Sequence, residues 1–370
     1  MAKLAKTAAN KTAANKAAAN KTATRRPDVG GNEMLTLLDF VRFAVSRFVE
    51  AKLTFAHGTA DPVAEAAFLV CEALHLHPAQ FDSFSAARVT TTEAAKILDL
   101  IERRVTTGKP AAYLVNKIYM RGLPFYVDER VIVPRSFIGE LLDSHFGDAD
   151  SDTPSLIKDP LEITSVLDLC TGSGCLAILA ARHFPNAEID AVDLSQDALA
   201  VAARNIADHG LEQPIRLYQG DLFKPLSDKR YDLIISNPPY VDAASLTSLP
   251  RECRAEPRLA FDGGADGLDI VRRILMDAGA HLRPDGGLLC EVGRGRKRLE
   301  LAFPWLPLLW LDTEESQGEV FWITAADLGE PHDFEDVASG FPNGSCAAQE
   351  PQGEPPVPQR LRNNRNERKY

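Results

Sequence analysis

The sequence lacks the features that mark membrane proteins and proteins that coat nucleic acid. A transmembrane helix needs about 20 consecutive apolar residues, and no segment of the 370-residue chain approaches that length. The net charge of -11 argues against a surface that binds nucleic acid throughout. The six cysteines have no paired metal-ligand spacing, and no secretion signal precedes them. We therefore predict a cytoplasmic protein with reduced thiols, no membrane contact and no bound metal.

Both ends of the chain lack the apolar side chains that a folded core needs. Residues 1–31 are basic and repeat Ala-Ala-Asn-Lys, whereas residues 328–370 are rich in proline, glycine, asparagine and arginine. Such segments cannot bury enough surface to offset the entropy cost of ordering. We predict two disordered tails, and weak contact with RNA or another acidic surface is the functional alternative for their basic residues.

Between the tails, the first part of the chain has helical periodicity. Apolar residues recur at three- and four-residue steps around Leu37, Val63 and Ile97, which predicts three amphipathic helices. Thr90 precedes the third helix as a predicted N-cap residue. No cluster of catalytic residue types accompanies these helices. We therefore interpret residues 32–115 as a helical substrate-docking domain.

Short apolar runs separated by turn residues follow the helices. Residues 116–135 contain such runs at 118–120, 125–127 and 131–133, which predict the strands of a β-hairpin linker. Ser136 is expected to cap a helix that continues to about residue 146. The linker joins the helical domain to the remainder of the chain.

From residue 136 to residue 327, buried strands alternate with helices. Helical patterns begin near Cys175, Asp197 and Asp269. Repeated strand-helix units imply an α/β fold with a parallel sheet, helices on both faces and ligands at the carboxyl ends of the strands. The apolar runs that predict the strands lie at residues 165–169, 188–192, 215–218, 232–236, 286–292 and 319–323.

A glycine-containing loop follows the first of these strands. In the sequence Asp168-Leu169-Cys170-Thr171-Gly172-Ser173-Gly174, the glycines let a ligand approach the backbone, and a helix N-terminus lies just behind. The loop lacks the three-glycine fingerprint of dinucleotide sites. It also lacks the Lys-Ser/Thr pair of nucleoside triphosphate sites. The loop therefore suits a ligand without a polyphosphate group.

Acidic residues follow the next two strands. Asp193 is placed for the two hydroxyls of a ribose, and Asp221 is placed for an adenine amino group, with Leu222 against the ring. Each acid alone could instead cap a helix. The two acids and the glycine loop together predict a nucleoside without a phosphate, which indicates S-adenosylmethionine as the cofactor.

The strand at residues 232–236 ends at Asn237-Pro238-Pro239-Tyr240. The prolines remove two backbone donors and hold the chain extended, so carbonyl groups remain free as acceptors. Two acceptors and an aromatic ring suit a flat substrate group that carries an NH2. A strand end followed by a proline turn is the alternative interpretation of this motif alone. The cofactor motifs upstream favour the functional interpretation.

These residues resemble class I methyltransferases that act on planar amino groups, and more narrowly the bacterial protein-(glutamine) methyltransferases. The resemblance implies a Rossmann-like, seven-stranded catalytic domain that uses S-adenosylmethionine, preceded by a small all-helical domain and a hairpin linker. The release-factor branch usually has glycine at the position of Cys170, and residues 136–141 resemble the branch that modifies large-subunit ribosomal protein number three. The resemblance covers residues 35–323, most specifically residues 126–136, 170–175, 256–257 and 266–268.

The motifs and the resemblance together predict the site. The predicted catalytic residues are Asn237, Pro238 and Tyr240. The predicted cofactor-binding residues are Asp168, Cys170, Thr171, Gly172, Gly174, Asp193, Asp221, Leu222 and Asn237. The predicted substrate-binding residues are Asn237, Pro238, Pro239, Tyr240, Arg135 and Glu256.

An amide nitrogen is a poor nucleophile because it shares its lone pair with the carbonyl group. Asn237 Oδ1 and the Pro238 carbonyl are predicted to accept the two amide hydrogens, which orients the lone pair and stabilises the positive charge that develops on nitrogen. Tyr240 is predicted to cover the amide plane and exclude water. Arg135 and Glu256 are candidates for contact with the substrate backbone and for loop anchoring, with a surface salt bridge as the alternative.

The resemblance implies methylation of a glutamine side chain in large-subunit ribosomal protein number three, either as free protein or in the assembling subunit. Three alternatives stay open. The first is a release-factor substrate, and the second is the adenine amino group of nucleic acid. The second alternative predicts a basic face, whereas residues 241–266 mix acidic and basic side chains. The third is a non-enzymatic assembly factor that keeps the cofactor site for structural reasons.

Overall fold

The computed structural model of the chain describes residues 34–56, 61–146, 156–157, 159–314 and 316–329. The predicted tail at residues 1–31 and all but two residues of the tail at 328–370 lie outside these ranges. Within the described ranges, no helix combines the length and the apolar character that a membrane span requires.

Five helices form the first part of the described chain. The three predicted helices are present, and two of them begin at a capping box, formed by Thr36 with Asp39 and by Thr90 with Glu93. In each box the hydroxyl accepts a backbone N–H while the carboxylate binds the N-cap backbone, so the free donors of the first turn are satisfied. The helices are α1 (Leu37–Glu50), α2 (Pro62–Ala73), α3 (Phe81–Phe84), α4 (Thr91–Thr107) and α5 (Ala111–Val115).

The apolar stripes of these helices form a core of their own. Phe40 and Phe48 of α1 pack with Leu69 of α2 and with Ile97 and Ile101 of α4, and all five side chains are buried. Burial of side chains of this size contributes on the order of 2 kcal/mol each. The apolar residues whose spacing predicted the helices are thus the residues that this core buries.

The linker contains a shorter hairpin than predicted. Strands β1 (Ile118–Met120) and β2 (Leu123–Phe125) pair antiparallel, but residues 126–127 and 131–133 are not strands, so that part of the prediction is wrong. Side chains take the place of a partner strand. The side chain of Asn205 binds both the N–H and the carbonyl group of Tyr126.

Two further side chains bind the backbone of residues 131–133. The Tyr113 hydroxyl donates to the carbonyl of Val131, and the Glu256 carboxylate accepts the N–H of Val133 at 2.8 Å. Both Val131 and Val133 are buried, which explains their strand-like apolar pattern. A buried extended segment needs partners for its backbone groups, but those partners do not have to be another strand.

Helix α6 (Ile138–His145) follows the linker, and its N-cap is Phe137 rather than the predicted Ser136. The Ser136 hydroxyl does accept the N–H of Ile138 at 3.2 Å. The same hydroxyl donates to Glu291 at 2.7 Å. Ser136 therefore joins the start of α6 to the central sheet.

Seven strands form the central sheet in the order β5-β4-β3-β6-β7-β9-β8. Strands β3 to β7 are parallel, as predicted, whereas β9 is antiparallel to both β7 and β8. The expectation of a parallel sheet is therefore wrong for β9 alone, because β8, being antiparallel to β9, runs in the same direction as β7. The strands are β3 (Ser165–Leu169), β4 (Glu188–Asp193), β5 (Ile215–Gln219), β6 (Tyr231–Ser236), β7 (Leu282–Glu291), β8 (Leu309–Asp312) and β9 (Gln317–Thr324).

The strand order reverses at β3, which lies between β4 and β6. In open α/β sheets, ligands bind outside the carboxyl ends of the strands at such a switch point. The glycine loop follows β3, and the Asn-Pro-Pro-Tyr segment follows β6. The remaining helices are α7 (Cys175–His183), α8 (Gln196–Asp208), α9 (Ala243–Thr247), α10 (Asp269–His281), α11 (Arg296–Ala302) and α12 (Ala325–Leu328).

Candidate active site

Asp168 at the end of β3 organises the glycine loop. Its Oδ2 accepts the hydroxyl of Thr171 at 2.6 Å and the N–H of Ala177, in the first turn of α7, at 3.1 Å. Its Oδ1 is buried without a hydrogen-bond partner among the described residues. Complete burial raises the pKa of Asp168 to about 7. The carboxyl group therefore holds the loop on the helix and leaves one oxygen for a further donor.

The backbone of the loop is left-handed at Cys170, Gly172 and Gly174, where φ is 61°, 55° and 79°. Glycine adopts this region without steric cost, whereas cysteine does so rarely. A Cβ at Gly174 would lie 3.1 Å from the Cβ of Ala202 in α8. Glycine at this position thus allows both the turn and the close packing of α7 on α8.

The two predicted cofactor acids have different surroundings. Asp193 accepts the N–H of Gly172 at 2.9 Å and the N–H of Ser195 at 2.8 Å. Burial raises the pKa of Asp193 above its usual value despite these hydrogen bonds. Asp221 instead binds Lys224 and Arg273, each at 2.7 Å, and these cations lower its pKa.

One cavity of about 150 Å³ brings most of the predicted cofactor residues together. Its acidic residues are Asp193, Asp221 and Asp262, and Arg130 is its basic residue. This acidic lining with apolar walls fits a nucleoside that carries a cationic group and does not fit a polyphosphate. Predicted site residues in the lining are Cys170, Gly172, Asp193, Asp221, Leu222, Asn237 and Pro239.

Asn237 lines this cavity together with Pro239, and the linker orients the Asn237 side chain. Its Nδ2 donates to the carbonyl of Arg135 at 3.5 Å, which leaves Oδ1 as the acceptor for an incoming donor. No hydrogen bond between described residues uses the carbonyl of Pro238. Both oxygen atoms belong to the segment that follows β6, and of the two residues Asn237 lines the cavity.

Tyr240 lies outside the lining of the cavity. Its hydroxyl donates to Oε1 of Glu291 at 3.0 Å, and its ring lies against Gly293, where a Cβ would come within 2.6 Å of Cε2. Burial, together with the Glu291 carboxylate, raises the pKa of Tyr240 well above its usual value. The predicted cover over a substrate amide stays a prediction.

Arg135 and Glu256 bind each other rather than standing apart. Two hydrogen bonds of 2.8 and 3.0 Å join the guanidinium group to the carboxylate, and the Glu256 side chain has no exposed surface. A bidentate pair with one buried partner has a defined geometry, unlike an exposed surface ion pair. It connects the linker to the segment that follows Asn-Pro-Pro-Tyr.

Two groups of residues escaped the sequence analysis. The first is the apolar wall of the cavity, which Val131, Ile132, Leu259 and Ala260 form from the linker and from the segment after the motif. The second is Glu291 at the end of β7, which binds Tyr240. A buried strand that ends in glutamate at the ligand edge of the sheet was the available signal for Glu291. No local pattern indicated that the linker reaches the cavity.

A Rossmann-like sheet with an acidic, phosphate-excluding cavity at its switch point, next to two carbonyl acceptors, defines a class I S-adenosylmethionine-dependent methyltransferase. Comparison with known families agrees. Residues 148–250 match the methyltransferase small domain, and residues 47–115 match the PrmC N-terminal domain.

Curated relatives give the family. The chain is 72% identical over 300 residues to the ribosomal protein uL3 glutamine methyltransferase of Bradyrhizobium diazoefficiens, covering 81% of this chain and 94% of that protein. It is 52% identical over 300 residues to the protein of the same name in Burkholderia pseudomallei, covering 79% and 95% respectively. The chain belongs to the ribosomal protein uL3 glutamine methyltransferase family. Among solved structures, a methyltransferase from Pyrococcus furiosus aligns with a TM-score of 0.41 and 17% identity, over 64% of this chain and 99% of that one.

Proposed function

We propose that this methyltransferase transfers a methyl group from S-adenosylmethionine to the side-chain amide nitrogen of a glutamine in ribosomal protein uL3. The names of the relatives support the substrate, as does the 94% coverage of the Bradyrhizobium protein. The observation that carries the proposal is that Asn237 lines the same cavity as the glycine loop and Asp193. An amide held by Asn237 would therefore be adjacent to the methyl donor. The proposed location is the cytoplasm, where a ribosomal protein is available as substrate.

The proposed cofactor contacts follow from the cavity. Asp193 would bind the ribose hydroxyls, and the backbone around Gly172 would lie against the amino-acid end of the cofactor. Asp221 and Leu222 would contact the adenine, with Asp221 retaining its ion pairs to Lys224 and Arg273. When bound, S-adenosylmethionine supplies an electrophilic methyl group on a positively charged sulfur.

The proposed catalytic work belongs to the end of β6. Asn237 Oδ1 and the Pro238 carbonyl would accept the two hydrogens of the substrate amide and turn its nitrogen lone pair toward the cavity. As the nitrogen becomes positively charged, both acceptors gain attraction for its hydrogens, so they bind the transition state more strongly than the ground state. As the nitrogen takes the methyl group from the sulfonium, which leaves as a neutral thioether, one of these hydrogens would pass to solvent as a proton, which restores a neutral amide. Tyr240 would cover the amide plane and exclude water.

The test is transfer of a labelled methyl group from S-adenosylmethionine to purified uL3, with a peptide release factor and duplex DNA as parallel substrates. We expect label in uL3, on a single glutamine that tryptic mass spectrometry identifies. The Asn237→Ala variant should bind the product S-adenosylhomocysteine and fail to transfer the label. Preferential labelling of the release factor or of DNA would refute the proposed substrate. Full activity of Asn237→Ala would refute the proposed mechanism.

RNA contact through the basic tails stays a prediction. The relevant lysine and arginine residues lie outside the described ranges. Deletion of residues 1–31 and 330–370 would test it, because an electrostatic contribution to substrate binding appears as a higher KM with a weaker salt dependence.

A further inference from the structure

Arg104 is an arginine near the end of α4 with no exposed surface. Its Nε donates to Glu65 of α2 at 2.7 Å, and its Nη2 donates to Glu252 at 2.8 Å and to the carbonyl of Thr54 at 3.1 Å. A buried cation is costly unless it is paired and hydrogen-bonded. Glu65 and Thr54 belong to the helical part of the chain. Glu252 lies 148 residues further along, in the segment after Asn-Pro-Pro-Tyr.

The carboxylate of Glu252 has a second contact with the helical part of the chain. Besides Arg104, it accepts the N–H of Ala56 at 3.2 Å, and its side chain is 1% exposed. Glu252 begins a single 3-10 turn, Glu252–Ala255. That turn leads directly to Glu256, whose carboxylate binds the linker at Val133 and Arg135. One short turn therefore connects the buried ion cluster to the linker.

The two segments that Glu256 joins are walls of the cofactor cavity. Val131 and Ile132 line it from the linker, and Pro257, Leu259 and Ala260 line it from the segment after the motif. Displacement of Glu252 would move residues 256–260, and with them the partner of Val133. The shape of the cavity thus depends on where the helical part of the chain holds Glu252.

We propose that Arg104 is a positioning residue for the cofactor. Through Glu252 it sets the position of two walls of the cavity, so the helical part of the chain contributes to cofactor affinity in addition to its predicted role in substrate docking. This inference rests on the proposed placement of S-adenosylmethionine in the cavity. A residue that merely stabilises the fold would change the free energy of unfolding and leave the cofactor affinity of the folded protein unchanged.

The experiment measures the Kd of S-adenosylhomocysteine by calorimetry for the full-length Glu252→Gln and Arg104→Met variants. Glu252→Gln is the decisive variant because Glu65 stays as a counter-ion for Arg104, whereas Arg104→Met leaves buried carboxylates without their cation. Lys96→Met is the matched control, since Lys96 is an exposed cation on the same helix. Circular dichroism at the assay temperature establishes that each variant is folded.

We expect the Kd of Glu252→Gln to rise about tenfold, ~1.4 kcal/mol, and that of Lys96→Met to stay within about twofold of wild type. A folded Glu252→Gln with wild-type affinity overturns the inference. Asp193→Asn separates this result from a failure of the proposed site. If Asp193→Asn weakens binding and Glu252→Gln does not, the inference alone is wrong. If neither variant weakens binding, the cofactor lies elsewhere and both proposals are wrong.

Hydrogen exchange of the wild-type protein gives a second test that needs no variant. Cofactor binding should slow exchange of the Ala56 amide, which donates to Glu252, although Ala56 does not line the cavity. Amides on the Lys96 side of α4 serve as the internal control. Slower exchange at Gly172 and Leu222 with unchanged exchange at Ala56 would overturn the inference, because it would show that the cavity and the ion cluster are uncoupled.

Discussion

The burial of Glu291 leads to a prediction of how the free energy of unfolding depends on pH. The carboxyl group is 1% exposed, and it accepts Ser136 Oγ at 2.7 Å, the N–H of Phe137 at 3.1 Å and the Tyr240 hydroxyl at 3.0 Å. Burial raises its pKa from 4.5 to about 7 although these three donors favour the charged form. The charged form is therefore disfavoured in the folded protein relative to the unfolded chain.

Because the pKa of Glu291 is raised in the folded protein, its contribution to the free energy of unfolding decreases as the pH rises. Below the unfolded pKa, Glu291 is protonated in both states and its contribution to stability is fully present. As the pH rises toward the folded pKa, the unfolded chain releases its proton first, so the free energy of unfolding falls. Between about pH 5 and about pH 8, the loss from this residue is on the order of 2 to 3 kcal/mol.

The assay is urea unfolding of wild type and of Glu291→Gln at these two pH values. Glutamine does not titrate, so the stability of the variant relative to wild type should improve across the range, by an amount on the order of 2 to 3 kcal/mol. Other titrating groups, such as Asp168, act on both proteins and cancel in this difference. Glu212→Gln, at an exposed position, is the matched control. A pH-independent difference between Glu291→Gln and wild type would refute the reasoning.

Three further predictions concern the site. Asn237→Ala should lower turnover about a hundredfold or more, on the order of 3 kcal/mol of transition-state stabilisation, and near wild-type single-turnover rates would contradict its role. Cys170→Gly should raise the free energy of unfolding in urea by ~1 kcal/mol relative to Cys170→Ala, because alanine keeps the left-handed strain that glycine removes; equal stabilities would show that the loop is unstrained. Tyr240→Phe, which loses the hydrogen bond to Glu291, should lower kcat with little change in the Kd of S-adenosylhomocysteine, and unchanged kcat would exclude positioning through that hydroxyl.

The parts of the fold that the sequence predicted share one property. Strands β3, β4 and β6 and the second half of β7 are runs of mostly buried residues, and the helices between the strands have one apolar face. In such elements the apolar pattern of the sequence matches the burial in the folded protein. The pattern alone is therefore sufficient to predict the element. β8 escaped because it is a four-residue edge strand, Leu309–Asp312, whose first residue is 49% exposed. Its pairing with β9 is not visible in its own composition.

The sequence also predicted some features of the candidate site and missed others. Asp193, Asp221 and Asn237 each follow a strand, and parallel strands end at one edge of the sheet, so the sequence could place them together. Glu256 and Arg135 were named as candidates without their relation to each other, because 121 residues separate the two partners of this pair. Sequence spacing predicts which backbone ends meet, but it carries no information about which long side chains bridge them.

The bridging side chains explain why the linker and the segment after Asn-Pro-Pro-Tyr are so rich in charge and yet lie against the cavity. Residues 126–135 of the linker and residues 242–260 after the motif do not pair with the central sheet, so hydrogen bonds of that sheet do not hold them. Buried carboxylates of Glu252, Glu256 and Glu291 supply that attachment instead, each accepting donors from a different part of the chain. Burying each of these carboxylates costs free energy of folding. Proteins keep such unfavourable features where a fixed arrangement of residues is required for function. Glu256 and its partner Val133 each adjoin a wall residue of the cavity, Pro257 and Ile132, and the proposed methyl transfer needs fixed distances there.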